Sequence, residues 1–271
     1  MRLELGWDLI KVLYAGGGRY RISPLFLITP FGVEMKGFEY ENWAEEFIEG
    51  LREDPEIEVV QMPSWEVHAR FPRTIEELRK YDVVVIEEVE ADVFYLYPEF
   101  YTPEKGRVVT LPNRLELIRR WVEEGGGLLM SGGWLSFQGR LGRGLWHGTP
   151  VEEALPVEFQ QFDDRVETPE GAYVKVVDPD HPLMKGIPWE TCPPFLGYNR
   201  AGLKPGAKLL ATISRAGRSD RDPLIAVWDY GSGRSMAFAS DITPHWGTNF
   251  IGWEYYKPFW VKAVKWLAGR L

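Results

Sequence analysis

Residues 125–134 read Gly-Gly-Gly-Leu-Leu-Met-Ser-Gly-Gly-Trp, a short apolar run that leaves one glycine cluster and enters another. The run at 127–130 (GLLM) has no alternating polar position and reads as a strand buried on both faces. A helix ends just before it. Pro112 suits a first turn, Leu115, Ile118, Trp121 and Val122 share one face, and Gly125 suits the C-terminal cap. The same alternation extends toward the N-terminus, where residues 11–14 (KVLY), 58–62 (EVVQM) and 83–86 (VVVI) read as strands. Between the first two, Tyr40, Trp43, Ala44, Phe47, Ile48 and Leu51 recur at helical spacing. Thr74 and Glu77 have the spacing of a capping box, which starts a short helix before VVVI. Strands alternating with helices over about 130 residues imply right-handed βαβ crossovers and a mainly parallel sheet covered on both faces.

Beyond this half the texture changes. Residues 139–148 are rich in glycine and arginine, and 149–164 hold no sustained period, so this stretch reads as loops over the sheet. Strands resume at 173–177, 208–213, 224–228 and 235–240. Gly231-Ser232-Gly233 reads as the turn of a hairpin that adds antiparallel strands at one edge. A closing helix carries Trp260, Ala263, Val264 and Leu267 on one face. No linker, repeat or low-complexity segment separates the halves, so residues 1–271 are expected to form one α/β domain with flavodoxin-like layering.

With 45% hydrophobic and 26% charged residues, the chain is neither disordered nor fibrous in composition. Its 31 basic and 40 acidic residues leave a net charge of -9, which argues against general affinity for nucleic acid or an anionic membrane. The one cysteine, Cys192, allows no internal disulfide and no thiolate zinc cluster, and a reducing cytoplasm fits best. Glu4 and Asp8 interrupt the N-terminal stretch, which does not read as a secretory signal, and no stretch of about 18 uncharged apolar residues would span a membrane. Side-chain amides are confined to Asn42, Asn113, Asn199, Asn249, Gln61, Gln138, Gln160 and Gln161, a scarcity that suggests a thermophilic source.

Ligands of parallel α/β sheets bind outside the carboxyl ends of the strands, so the residues that follow strands carry the most weight. Three places stand out: Gly16-Gly17-Gly18, Ser131-Gly132-Gly133-Trp134, and the segment from Asp241 through His245 to Trp246. LLMSGGW has the strand and small-residue turn of a nucleophile elbow, although Leu129 stands at the first glycine position of G-x-S-x-G. Ser131 reads either as a nucleophile or as a small residue in a tight turn. The run Gly16 to Gly18 lacks the dinucleotide fingerprint and the lysine of a P-loop, so it reads as a flexible turn whose amides can hold an anion. His245 lies near Asp241, which can orient it as a carboxylate orients a catalytic base. Asp178, Asp180 and His181 read as a turn constrained by Pro179 and Pro182 rather than as a metal site, and no cofactor is implied. Asp163-Asp164 with Arg165 reads equally as an ion pair or as part of a polar site. Trp134, Trp146, Trp246 and Trp253 lie in loops or near strand ends, where they would line a pocket or seal an oligomer interface.

From about residue 80 onward a series of segments occurs in order: Tyr81-Asp82-Val83-Val84, Gly125-Gly126-Gly127-Leu128, Gly132-Gly133 leading into Leu135-Ser136-Phe137-Gln138-Gly139, and Thr149-Pro150-Val151-Glu152-Glu153. Asp163-Asp164, Asp180-His181-Pro182-Leu183, Leu196-Gly197-Tyr198-Asn199, and Ala239-Ser240-Asp241 with Pro244-His245-Trp246 follow. This series resembles the class I glutamine amidotransferase-like family of cytoplasmic proteins. The resemblance implies that family's flavodoxin-like fold, a three-layer sandwich. Glutaminases of the superfamily have an elbow cysteine and a strand-end His-x-Glu, where this chain has Ser131-Gly132-Gly133 and His245-Trp246-Gly247. The expectation is therefore a protein without glutaminase activity that binds a small molecule or assembles with its own copies. Its cleft would be formed by Gly17, Ser131, Gly132, Gly133, Trp134, Asp241, His245 and Trp246. A serine hydrolase built on Ser131, His245 and Asp241, acting on an ester, amide or sugar derivative, is the alternative.

Overall fold

The structure, a computed structural model, describes residues 9–17, 21–101, 104, 106–219 and 221–271. The first half of the chain forms β1 (Ile10–Gly16), β2 (Arg21–Thr29), β3 (Gly32–Glu41), α1 (Glu45–Arg52), β4 (Ile57–Met62), α2 (Ser64–Arg70), α3 (Ile75–Leu78), β5 (Val83–Glu87), α4 (Ala91–Tyr95), α5 (Arg114–Glu123) and β6 (Gly127–Ser131). The second half forms α6 (Pro150–Ala154), β7 (Val157–Phe159), β8 (Arg165–Val176), β9 (Phe195–Asn199), β10 (Ala201–Leu203), β11 (Lys208–Arg215), β12 (Asp222–Tyr230), β13 (Gly233–Phe238), α7 (Thr248–Ile251) and α8 (Tyr256–Leu267).

A nine-stranded sheet has the order β4-β1-β5-β6-β13-β12-β11-β8-β9. The strands from β4 to β13 run parallel, and β12, β11, β8 and β9 extend them antiparallel. The continuous apolar runs have their explanation in this order, because β5 and β6 lie inside the parallel half and are buried at every position. Alternate residues serve opposite faces. Val12, Tyr14, Val83, Val85, Met236 and Phe238 pack with Phe47, Ile48 and Leu51 of α1 and with Phe259, Trp260 and Val264 of α8. Leu13, Ala15, Val84, Ile86 and Met130 pack with Val67 of α2, Leu78 of α3 and the α5 stripe of Leu115, Ile118, Trp121 and Val122. Each Val, Leu or Ile so buried contributes roughly 1.5–3 kcal/mol. No helix among the described residues is long and apolar enough to cross a membrane.

Local signals fixed several element ends. Thr74 Oγ1 accepts from Glu77 N and caps α3, and Asn113 rather than Pro112 caps α5 by accepting from Leu115 N and Glu116 N. Three expectations need correction. The hairpin at 231–233 is present, with Gly231 at φ +60°, but it is not at an edge. Its second strand, β13, lies between β6 and β12, buried at every position except Arg234, and the antiparallel edge is formed by β11, β8 and β9. The helix expected from Tyr40 begins only at Glu45, because Tyr40 belongs to β3, whose hairpin with β2 carries no alternating signal in Leu25-Phe26-Leu27-Ile28. The Tyr40 side chain and Gly18 lie outside the described residues. Finally, 139–164 holds α6, capped by Thr149, and β7 in addition to loops.

Gly233 starts β13 where no side chain fits: a Cβ there would lie 2.0 Å from Val122 O and 2.4 Å from Gly126 O. Gly233→Ala is expected to cost at least about 2 kcal/mol in urea denaturation, since backbone must move to admit it. Gly202→Ala, whose Cβ would meet nothing closer than 3.8 Å, is expected to change stability by less than about 0.5 kcal/mol.

Candidate functional site

The parallel strands deliver three turns to one end of the sheet: residues 88–90 after β5, 132–134 after β6 and 239–246 after β13. Two non-glycine residues in these turns have left-handed backbone, Glu88 at φ +47° and His245 at φ +109°. Such conformations cost on the order of 1–3 kcal/mol and persist where surrounding contacts impose them. Gly133 has φ +143°, and a Cβ on it would lie 1.9 Å from Glu88 Oε1 and 2.6 Å from Asp241 Oδ1. Only glycine fits between those two buried carboxylates.

Every backbone donor of the elbow turn is committed. Gly132 N donates to Phe238 O at 2.7 Å, Gly133 N to Asn199 Oδ1 at 2.7 Å, and Trp134 N to Glu88 Oε1. Asn199 Nδ2 returns a bond to Gly133 O at 3.0 Å and a second to Asp164 Oδ1 at 2.8 Å. Ser131 is fully buried in β6, and its hydroxyl donates to Ser240 O at 2.9 Å. Among the described residues it forms no hydrogen bond with His245.

His245 and Asp241 do meet. Asp241 Oδ2 accepts from His245 Nδ1 at 2.7 Å and from Trp246 N at 3.0 Å. The carboxylate therefore holds the proton on Nδ1 and leaves Nε2 as the basic atom of the ring. The imidazole is 22% exposed, stacks on Trp246 at 5.0 Å and meets Trp134 edge to face at 4.8 Å. Glu167 of β8 ties both indoles, accepting from Trp134 Nε1 at 3.2 Å and Trp246 Nε1 at 2.9 Å. The Arg140 guanidinium lies 4.6 Å from the centre of the Trp134 ring.

Gly17 takes its place by backbone alone: its N donates to Glu87 O at 2.7 Å, and a Cβ there would lie 1.5 Å from Glu87 Oε2. Glu87 accepts from Tyr14 Oη and Thr243 Oγ1, both at 2.8 Å, and burial with this carboxylate pushes the Tyr14 hydroxyl well above its ordinary pKa. Asp164 accepts from Gln138 N, Gly139 N and Asn199 Nδ2, while Asp163 pairs with Arg165 at 2.7 Å. The two neighbours thus play both of the roles read from the sequence.

The remaining candidates are buried at this end or lie elsewhere. Trp146 and Trp246 are fully buried and Trp253 nearly so, hence core rather than open stacking platforms. Cys192 packs beside the core, where burial pushes its thiol up to about 12, far from a thiolate nucleophile. His181 Nδ1 accepts from Leu183 N at 3.3 Å, as a turn requires. It also borders a cavity of about 410 Å³, lined by Lys208, Trp228, Arg234 and Trp266 at the opposite end of β13. Sequence reading missed Glu87 and Glu88, although they directly follow VVVI and the strand-end rule applies to them. Glu167 offered no signal.

The family model described as "Putative glutamine amidotransferase" matches residues 31–269. A cytoplasmic protein from Salmonella typhimurium is 35% identical with a TM-score of 0.80, over 95% of this chain and 99% of that one. A second cytoplasmic protein, from Salmonella typhimurium LT2, is 34% identical with the same score and coverage. A thua-like protein from Bacteroides uniformis, 12% identical with a TM-score of 0.55 over 95% of this chain and 91% of its own, shares the fold. Among curated proteins none matches.

Burial raises the Asp164 carboxyl to about 6 against the hydrogen bonds that lower it. A carboxyl whose pKa is higher folded than unfolded holds more protons in the folded state between the two values, so its contribution to stability declines as pH rises from about 4 to 6. Relative to Asp164→Asn, the natural protein is expected to lose up to about 3 kcal/mol over that window, read from urea midpoints at each pH.

Proposed function

The chain belongs to the glutamine amidotransferase-like family, and within it we propose a small-molecule-binding protein that does not hydrolyse glutamine. The committed elbow carries this reading. Acyl transfer needs an activated nucleophile and backbone donors aimed at the developing oxyanion. Here the amides of Gly132, Gly133 and Trp134 serve Phe238, Asn199 and Glu88, and the Ser131 hydroxyl serves Ser240. The same commitments count against a serine hydrolase built on Ser131, His245 and Asp241. What the turn leaves to a ligand is the His245 imidazole, fixed by Asp241 and edged by Trp134. Helices on both faces of the sheet support a flavodoxin-like three-layer arrangement, with residues 1–271 acting as one domain. The description of both Salmonella relatives supports a cytoplasmic location.

Ammonia release from L-glutamine is expected to stay at the buffer rate for the natural protein, and p-nitrophenyl acetate hydrolysis to be unchanged by Ser131→Ala. Ammonia release abolished by Cys192→Ala, or ester hydrolysis abolished by Ser131→Ala, would overturn the reading. Binding is followed through the His245 imidazole proton resonance, identified by its loss in His245→Gln, during a screen of sugars, amino acids and carboxylic acids. Ligands that bind but all leave that resonance unmoved would remove His245 from the site.

A further inference from the structure

Between Phe26 and Met35, the β2–β3 hairpin has one face made of apolar side chains. Its register sets Phe26 opposite Met35 and Ile28 opposite Val33, so the four share a face, and Phe31 sits in the connecting turn. They are 57%, 58%, 76%, 64% and 98% exposed, in that order. The other face is mixed: Leu27 is opposite Glu34, and Lys36 Nζ pairs with Glu34 Oε2 at 2.5 Å. A two-stranded hairpin is marginally stable in water, and it gains stability when its apolar face is covered. Nothing in the described part of this chain covers it.

We propose that this face packs against the same face of a second copy of the chain, forming a two-fold dimer. The area fits. Fully covered, the four face residues together with Phe31 would bury roughly 650 Å² per copy, or about 1,300 Å² in the pair, at the low end of the range of specific interfaces of about 1,200–2,000 Å². The chemistry fits as well, since Phe26, Phe31 and Met35 are types enriched in interface cores. The face carries no charge with which to recognise an acidic or basic partner, whereas an identical apolar face matches it under two-fold symmetry. Two such hairpins stacked face to face make a four-stranded sandwich with sheets about 10 Å apart. The proposal is independent of the ligand reading at His245.

The test is the mass of the full chain by light scattering after gel filtration at micromolar concentration. The natural protein is expected at twice the 31.2 kDa of one chain. Ile28→Glu, on the apolar face, is expected to run at the single-chain mass, with dimer affinity reduced at least ~100-fold. Leu27→Glu, its neighbour on the mixed face, is expected to remain dimeric. Circular dichroism and the thermal midpoint of both variants check that the main sheet is intact. A single-chain mass for the natural protein, or the same mass for both variants, would overturn the proposal. So would recovery of the protein with phosphatidylcholine–phosphatidylglycerol vesicles, lost in Ile28→Glu, which would assign the face to a lipid surface.

Discussion

The end of the sheet where the site lies is closed by one side chain, Asn199. It ends β9, the far antiparallel edge of the sheet, yet its amide group exchanges two hydrogen bonds with Gly133 beyond β6, and its backbone N donates to Ala239 O beyond β13. The antiparallel extension must therefore curl until its edge strand reaches the carboxyl ends of the parallel strands. Ser240 Oγ, donating to Gly197 O at 2.7 Å, fastens the same approach. Loss of a buried partner in such a network costs more than the hydrogen bond itself, because the donor left behind has given up water without replacement.

This closure explains the chemistry of the elbow. An elbow suited to nucleophilic catalysis loses its oxyanion site when the donors that would receive the charge are turned to internal acceptors. Asn199 and Glu88 are those acceptors, and each acts on an amide next to Gly133 or on that residue's own. The buried carboxylates Glu87, Glu88, Asp164 and Asp241 are all placed as acceptors for N–H or O–H groups, which is the condition under which burial of a carboxylate is tolerated.

The parallel half was legible in the sequence because its signals are local: a run such as Val83-Val84-Val85-Ile86 or the α5 stripe is complete within about ten residues. Gly133, Asp241 and His245 were legible as strand-end residues for the same reason. Asn199 and Glu167 were not, since their approach depends on the curl of β8 and β9, a property of the whole sheet. The position of β13 was mistaken because a hairpin turn reveals which strands pair but not what lies on the far side of them. The hairpin of β2 and β3 went unread: Leu25 to Ile28 has no alternation of polar and apolar positions, and these residues are exposed.

The Asn199 clamp also bears on how the chain acquires its site. The bonds that close it join residues 66 apart (Gly133 with Asn199), 109 apart (Ser131 with Ser240) and 156 apart (Thr243 with Glu87). Contacts of such sequence separation must wait for the loops between them to close, and they give a late reward for an early entropic cost. During synthesis from the N-terminus, β1, β5 and β6 can pair long before residue 241 exists, but the His245–Asp241 pair cannot form until then. The Asn199 clamp is thus completed late, and each of its bonds ties an early part of the chain to a late one.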